Sequence, residues 1–187
     1  NVTLVSKKDG SARYVIDYRR LNARTKPEFF PLALISDVTD LVGSTGAQWF
    51  TTIDLHSAYH YVPLEENSRE YASFSVPGLG TFRPKRMFFG LQGAVATFSR
   101  LMVMVTSGLD YCLAYLDDCL ICSKTVDEQC ERIQEIMDRL RRANLRLSGK
   151  KCCICTKKVT YMGHEISGNG ISADSKKTEA ISKAKAP

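Results

Sequence analysis

Two adjacent aspartates, Asp117 and Asp118, interrupt the apolar segment LDYCLAYLDDCLICS, and folding alone does not require them there. Burying one unpaired carboxylate costs free energy, and two touching carboxylates repel each other unless a cation neutralises them. A third carboxylate, Asp54, follows the run WFTTI. Mg²⁺ prefers oxygen ligands, and two such ions about 3.5–4 Å apart activate an attacking hydroxyl and stabilise a leaving pyrophosphate. The three aspartates therefore predict a phosphoryl-transfer centre, and the alternative is an ordinary Asp-Asp turn on the surface.

The elements that would position these carboxylates follow from their neighbours. Apolar residues at 111–116 and 119–122 flank the aspartate pair, which predicts a β-hairpin whose tight turn presents both carboxylates at its tip. The run 49–53 predicts a strand with Asp54 at its end. Oxygen ligands from two strand ends would leave space for water and phosphate around a bound ion.

Helices are predicted at three further places. Pro31 predicts the start of an amphipathic helix that Gly43 ends, and a second helix is expected over about 94–107. Thr125 with Glu128 forms a capping box at the start of a third. The apolar face of the first helix is predicted to carry Leu34, Val38, Leu41 and Val42, and that of the third Val126, Cys130, Ile133, Met137 and Leu140.

The remaining strands complete an α+β pattern. Residues 12–18 predict a strand, and the segment 63–85, broken by proline and glycine, predicts short strands of a hairpin-bearing lobe. Strands and helices do not alternate strictly, which favours a sheet backed by helices.

Composition narrows the class of protein. With 187 residues and 44% hydrophobic content, the chain can bury a core of one domain or of one domain with a lobe. No apolar run reaches membrane-spanning length, and seven cysteines without a regular framework fit a reducing compartment. The net charge of +6 is concentrated near the start and over residues 139–158. These clusters favour a polyanionic partner, although single lysines and arginines are more often simply solvated.

A series of motifs, in a consistent order, covers nearly the whole chain. They are VSKKDG, RYVIDYRRLN, FPLALISDVTDLVG, IDLHSAYHYVPL, FRPKRMFFGLQGAVATFSRLM, YLDD, LRLSGKKC and YMGHEIS. On these motifs the chain resembles a reverse transcriptase of the gypsy class of LTR retrotransposons, related to the retroviral enzymes. One departure is Val95, which stands where the family usually has proline.

The resemblance implies a right-hand polymerase fold, with an antiparallel palm sheet backed by helices. Residues 1–28 and 62–93 are expected to form part of the fingers, 29–61 and 94–169 the palm, and 170–187 the start of the thumb. Because the chain starts in mid-motif, we expect a piece of a Pol polyprotein whose thumb, RNase H and integrase lie elsewhere. Without most of the thumb, it is expected to bind primer-template weakly and release it after few additions.

The resemblance also implies roles for the acidic cluster. Asp54 and Asp117 would hold two Mg²⁺ ions, for which Mn²⁺ can substitute, and Asp118 would be the weaker, supporting carboxylate. Lys151 matches a lysine that acts as a general acid toward pyrophosphate, although the neighbouring Lys150 leaves the register open.

A second group of residues matches the nucleotide pocket of the family. Arg13 and Lys7 would grip the phosphates of a dNTP, and Tyr59 would be the aromatic gate that excludes a ribose 2′-OH. Leu55, Phe89 and Gly90 would complete the pocket. By pattern alone, Tyr59 and Phe89 are more typical of ordinary core residues.

A third group matches the contacts to primer and template. Tyr115 precedes the aspartates, and Tyr161, Met162, Gly163 and His164 match the primer-grip hairpin, where His164 is expected to be a contact or structural residue rather than a base. Cys152, Cys153 and Cys155, followed by His164, superficially suggest zinc, but this spacing is poor for a tetrahedral site, and buried or incidental thiols are the preferred interpretation.

The predicted function is RNA-directed DNA synthesis from a primer on an RNA or DNA template. Expected partners are dNTPs, primer-template and the rest of the polyprotein, with no membrane, and the family allows a dimer. The expected location is intracellular, in a cytoplasmic virus-like particle or the nucleus. The alternatives are a catalytically silent nucleic-acid-binding domain, which loss of an aspartate would favour, and an RNA-templated RNA polymerase, which Tyr59 argues against.

Overall fold

The computed structural model describes residues 2–6, 10 and 12–174, without the side chain of Arg13. The elements, in chain order, are β1 (Val2–Ser6), β2 (Ala12–Ile16), α1 (Arg19–Asn22), α2 (Ile35–Thr45), β3 (Trp49–Asp54), β4 (Phe74–Val76), β5 (Gly80–Phe82), α3 (Ala94–Thr106), β6 (Cys112–Tyr115), β7 (Asp118–Ser123), α4 (Val126–Arg142), β8 (Cys153–Thr156), β9 (Lys158–Tyr161), β10 (His164–Ser167) and β11 (Gly170–Ala173). Short 3₁₀ helices lie at Ala58–Tyr61, Glu66–Ser68 and Gly149–Lys151. The chain divides into two compact units, the first Asn1–Pro31 with Ser57–Arg100 and the second Leu32–His56 with Leu101–Pro187.

The first unit is built on two small antiparallel hairpins. Strand β1 pairs with β2, and β4 pairs with β5, so the short strands predicted for 63–85 are confirmed. Its buried cluster contains Ile16, Tyr18 and Ala72, and the Tyr18 hydroxyl donates a hydrogen bond to the carbonyl of Ala72 at 3.0 Å. The predicted strand 12–18 ends two residues early, at Ile16, before the turn into α1.

The second unit contains a four-stranded antiparallel sheet in the order β6-β7-β3-β8. Helix α2 packs on one face and α4 on the other. Successive side chains of a strand point to opposite faces of the sheet. Since helices cover both faces, the central strand β7 is buried at every position from Cys119 to Ser123. The cluster under α2 consists of Val38, Leu41, Val42, Ala47, Phe50, Leu120, Cys122, Val159, Tyr161 and Ile166.

Helix α2 does not begin where the sequence predicted. It starts at Ile35 rather than Pro31, because the backbone N–H of Leu34 donates to the Asp37 carboxylate at 2.7 Å and this contact fixes the first turn. It also runs past Gly43 and ends at Thr45, where Gly46 adopts a left-handed conformation with φ of 56°. Leu34 therefore lies outside the helix and is exposed.

Helix α4 begins as predicted, but its buried face is rotated. The Thr125 hydroxyl accepts from the N–H of Glu128 at 3.2 Å, whereas the Glu128 carboxylate accepts from Lys124 rather than from Thr125. Val126 and Cys130, predicted on the apolar face, are exposed, and Gln129 is buried instead. The buried positions of the helix are Gln129, Ile136 and Leu140.

The sheet supplies hydrogen-bond partners for the amide nitrogen of the buried Gln129, whereas its Oε1 has none among the described residues. Its amide nitrogen donates to the Thr51 hydroxyl at 2.8 Å and to the Ile121 carbonyl at 3.2 Å. Thr51 in turn accepts from the N–H of Cys155 at 3.0 Å. This polar network ties α4 to β3, β7 and β8, the strands that carry the site described below.

Helix α3 starts at Ala94, one residue before Val95, and ends at Thr106, so the predicted helix 94–107 is confirmed. Among the described residues, no helix is both long and apolar enough to cross a membrane.

Replacing Leu120 with alanine tests the packing of β7 against α2. Leu120 has no exposed surface, and removing its side chain leaves a cavity between β7 and α2. We expect a loss of about 3 kcal/mol in the free energy of unfolding, measured by urea denaturation. The matched control is Leu79→Ala, whose side chain is 73% exposed, and it should change stability by less than about 0.5 kcal/mol. Equal effects of the two substitutions would contradict this packing.

Candidate active site

The register of the central sheet brings the three predicted carboxylates together. Strand β3 pairs with β7 so that Asp54 lies directly opposite Asp118. The next backbone N–H, that of Leu55, donates to the carbonyl of Asp117 at 3.0 Å. Because β3 and β7 are antiparallel, the end of one meets the start of the other, and the carboxylates converge at one edge of the sheet.

The hairpin that carries the aspartate pair is tight. Tyr115 pairs with Asp118, which leaves only Leu116 and Asp117 in the turn. Leu116 has φ of 55°, a conformation that costs a residue with a Cβ about 1 kcal/mol. The predicted hairpin is confirmed, and Asp117 lies at its tip. The prediction that Asp118 also lies at the tip is wrong, because a two-residue turn makes Asp118 the first residue of β7.

The cluster contains excess negative charge. The pKa of Asp118 is raised to about 6, chiefly because partial burial disfavours its ionised form, and further by the charges of Asp117 and Asp54. Lys151 acts in the opposite direction and lowers it. Like charges directly opposite each other destabilise a strand pair, so the arrangement costs stability in the free protein.

Lys151 is the cation that meets this cluster. Its Nζ lies 3.0 Å from Oδ2 and 3.2 Å from Oδ1 of Asp54, so it contacts both oxygens of one carboxylate. The hydrogen bond to Asp54 raises the pKa of Lys151, which stays protonated at neutral pH. Of the two lysines in the SGKKC motif, Lys151 rather than Lys150 forms an ion pair with an aspartate of the cluster, and its role as a general acid stays a prediction.

The three carboxylates of the cluster offer the oxygen ligands that a divalent cation prefers. Across the described ranges, however, no three His, Cys, Asp or Glu side chains are arranged so that they could hold a metal ion as they stand. One of the carboxylates, that of Asp54, already forms an ion pair with Lys151. The Mg²⁺ site therefore stays a prediction, and it would require these side chains to rearrange.

The raised pKa of Asp118 predicts how the metal-free protein responds to pH. Because folding raises this pKa from 3.8 to about 6, the folded state loses stability as the pH rises through that range. Asp118→Asn removes the ionisable group. In EDTA, this substitution should raise the free energy of unfolding at pH 8 by on the order of 1 kcal/mol, an amount kept small because Asp118 is partly exposed to solvent. At pH 4.5 the increase should be much smaller. Thermal unfolding at both pH values measures this difference, and an equal change at both would contradict it.

A second hairpin braces the first from within the same unit. Strands β9 and β10 are joined by Met162 and Gly163, whose φ values of 49° and 73° are both positive, as a type I′ turn requires. Tyr161 is only 3% exposed, and its hydroxyl lies 3.0 Å from the carbonyl of Leu113 and 3.3 Å from that of Asp118. Tyr161 thus supports the aspartate hairpin with its side chain, while its backbone pairs with His164 in the β9–β10 hairpin. Its predicted primer contact stays a prediction.

The neighbouring predicted contacts are placed as follows. His164 Nδ1 lies 3.1 Å from the carbonyl of Met162, a contact within the β9–β10 turn. Tyr115 packs, partly buried, against the cluster under α2. Cys152, Cys153 and Cys155 are partly buried free thiols.

In the first unit, the segment predicted to contact nucleotide forms an aromatic group. The ring of Tyr59 lies 5.0 Å from that of Phe89 and 5.4 Å from that of Phe98, between centroids. Tyr59 and Phe89 are partly buried, whereas Phe98 is 1% exposed. Gly90 has φ of 88°, which explains why this position needs glycine. Phe98, which sequence reasoning did not select, is the fixed partner against which Tyr59 rests.

Asn22 was also missed. Its amide nitrogen donates to the Gly90 carbonyl at 2.8 Å, and its amide oxygen accepts from the N–H of Gln92 at 2.8 Å. One side chain therefore fixes the loop that follows Phe89. The available signal was its position at the end of the motif RYVIDYRRLN, because asparagine carries both a donor and an acceptor.

Three nucleotide-pocket predictions stay predictions. Lys7 lies outside the described residues. Arg13 is in β2 opposite Val5, and only its backbone is described. Leu55 is 2% exposed and its N–H is bonded to Asp117, so its side chain is not available to a ligand.

Comparison with known proteins adds an independent finding. The family model described as reverse transcriptase (RNA-dependent DNA polymerase) matches residues 5–166. The Drosophila melanogaster Pol polyproteins of transposons 412, 297 and gypsy are 35%, 37% and 36% identical over 171 residues, 90% of the chain. The chain spans only 14–16% of the length of these polyproteins.

Solved structures agree at the level of the fold. The foamy viral protease-reverse transcriptase in complex with double-stranded DNA superposes with a TM-score of 0.88 at 23% identity, over 100% of this chain and 32% of that one. The same viral protein in complex with an RNA/DNA hybrid gives a TM-score of 0.87 at 24% identity, over 100% of this chain and 25% of the viral one.

Proposed function

The chain belongs to the reverse transcriptase (RNA-dependent DNA polymerase) family, and from this membership we propose that it adds deoxynucleotides to the 3′-OH of a primer on an RNA or DNA template. Its α+β palm architecture is shared with the foamy viral enzyme. The observation that carries the proposal is the cross-strand pair of Asp54 and Asp118, with Asp117 at the adjacent turn. Phosphoryl transfer needs mainly alignment and charge neutralisation, which such a cluster supplies when it binds metal.

Asp54 and Asp117 would hold the two Mg²⁺ ions, with Asp118 in support. When bound, the ions neutralise the triphosphate and increase the reactivity of the primer hydroxyl. The tight hairpin keeps Asp117 at its accessible tip, and the hydroxyl of Tyr161 stabilises that hairpin through its hydrogen bond to the carbonyl of Leu113. Burial is the main cause of the raised pKa of Asp118, and the charges of Asp117 and Asp54 raise it further. A nearby cation would offset that repulsion, which supports a cationic ligand.

Lys151 would donate a proton to the leaving pyrophosphate. It is protonated, it lies on Asp54, and its side chain is 67% exposed, so it can turn toward a ligand. A lysine ammonium on a flexible stem suits this transfer.

Nucleotide choice would depend on residues of the first unit. We propose that Tyr59 excludes a 2′-OH, supported by Phe89 and the buried Phe98, and that Arg13 and Lys7 bind the phosphates. Gly90, whose loop is fixed by Asn22, would let the backbone approach the nucleotide closely. Leu55, which belongs to the second unit, would contribute through its backbone, of which the N–H already donates to the carbonyl of Asp117.

The primer terminus would be held by the turn of Met162 and Gly163, with His164 and Tyr115 beside it. As the curated relatives are Pol polyproteins, we propose that the thumb, RNase H and integrase of such a polyprotein are the natural partners of this domain.

Single-turnover addition of labelled dTMP to a DNA primer on an RNA template tests the proposal. Excess protein compensates for weak binding of primer-template. We expect incorporation in Mg²⁺ or Mn²⁺, none in EDTA, and no inhibition by UTP. Binding of primer-template without any incorporation would favour the second candidate, a catalytically silent nucleic-acid-binding domain.

A further inference from the structure

We propose that Lys151 is a built-in counter-ion of the aspartate cluster, which occupies Asp54 in the metal-free protein and is displaced when a divalent cation binds. The inference rests on the proposed function, because it concerns the order in which the same carboxylates are neutralised. It adds a competition between the protein's own ammonium group and the metal for one ligand.

The first argument is geometric. The Lys151 ammonium contacts both oxygens of Asp54, at 3.0 and 3.2 Å, rather than bridging to a second carboxylate. A metal ion bound by Asp54 would share this carboxylate with the ammonium group, and the two positive charges would then repel each other at close range. Asp54 itself cannot move away easily, because it is the last residue of a paired strand opposite Asp118.

The second argument is the distribution of charge. Three carboxylates meet at this edge of the sheet, and among the ion pairs of the described residues Lys151 is the only cation bonded to any of them. One positive charge cannot neutralise three negative charges. The cluster therefore keeps an attraction for a divalent cation even while Lys151 is in place.

The third argument is mobility of the counter-ion. The side chain of Asp54 is only 18% exposed, whereas that of Lys151 is 67% exposed and extends from the short 3₁₀ helix Gly149–Lys151. An ion pair with one exposed partner is weak, so the lysine can leave while the carboxylate stays.

The test is Mn²⁺ binding to the 187-residue chain without nucleic acid or nucleotide, followed by electron paramagnetic resonance. Lys151→Gln is compared with Lys150→Gln, which removes the same charge from the adjacent exposed position. We expect Lys151→Gln to bind Mn²⁺ up to about five-fold more tightly than Lys150→Gln, since only Lys151 competes for Asp54. In the unsubstituted chain, the ammonium ¹⁵N signal of Lys151 should shift on addition of Mg²⁺ while that of Lys150 stays in place.

Equal or weaker Mn²⁺ binding by Lys151→Gln would overturn the inference, while leaving the metal-dependent function intact. Absence of Mn²⁺ binding by the unsubstituted chain and both variants would instead overturn the two-metal function, and the counter-ion role with it.

Discussion

Replacing Asp117 with asparagine is expected to lower the single-turnover rate of nucleotide addition by about 10³-fold or more. Asparagine keeps the size and shape of the side chain but removes the negative charge that would hold a metal ion at the hairpin tip. Groups that stabilise charge in the transition state of phosphoryl transfer have effects of this size. The measurement is dTMP addition on an RNA template with the variant in excess.

Unfolding would not explain such a loss. Because Asp117 raises the pKa of Asp118 by repulsion, its neutral variant should fold at least as stably as the unsubstituted chain. The matched control is Asp110→Asn, an exposed aspartate just before β6, which should leave the rate unchanged. If Asp117→Asn kept a tenth or more of the activity, the aspartate cluster would not be the catalytic centre.

Replacing Tyr59 with valine should reduce the preference for dTTP over UTP by about 100-fold. The ring would be the barrier to a ribose 2′-OH, and a smaller side chain leaves room for a hydroxyl group. Tyr59 rests on Phe98, which is almost fully buried, so the ring cannot easily yield in the unsubstituted protein. The ratio of single-turnover rates with dTTP and UTP gives the preference directly.

Tyr61→Val serves as the control, since Tyr61 lies in the same 3₁₀ helix, Ala58–Tyr61. It removes an equally large aromatic ring and should leave the preference unchanged. Thermal unfolding of both variants separates the specificity change from loss of the Tyr59 contacts. An unchanged preference in Tyr59→Val would show that another residue excludes ribonucleotides.

Features with local causes could be predicted from the sequence. Thr125 marks the start of α4, and the flanking apolar runs predict the hairpin of β6 and β7, because a cap or a tight turn depends on residues close in the chain. The start of α2 was predicted wrongly for a related reason. Proline at 31 is a general signal for a helix start, but the Asp37 carboxylate made a specific bond to Leu34 and determined the boundary.

The buried face of α4 shows where sequence patterns fail. Glutamine is normally counted as polar, so apolar periodicity assigned the buried stripe to Val126 and Cys130. Gln129 is buried because Thr51, far away in the sequence, supplies a partner for its amide. A hydrogen bond of this kind offsets the cost of burial, but only the assembled sheet reveals that the partner is there.

Three aspartates in the order of the family, with an apolar hairpin around two of them, predict a reaction class from the sequence alone. Which atoms meet depends on the tertiary structure. It placed Asp54 opposite Asp118, used Tyr161 as an internal support, and brought Lys151 rather than Lys150 to a carboxylate 97 residues away. These contacts depend on strand register and on packing between distant segments, and neither is encoded in the spacing of nearby residues.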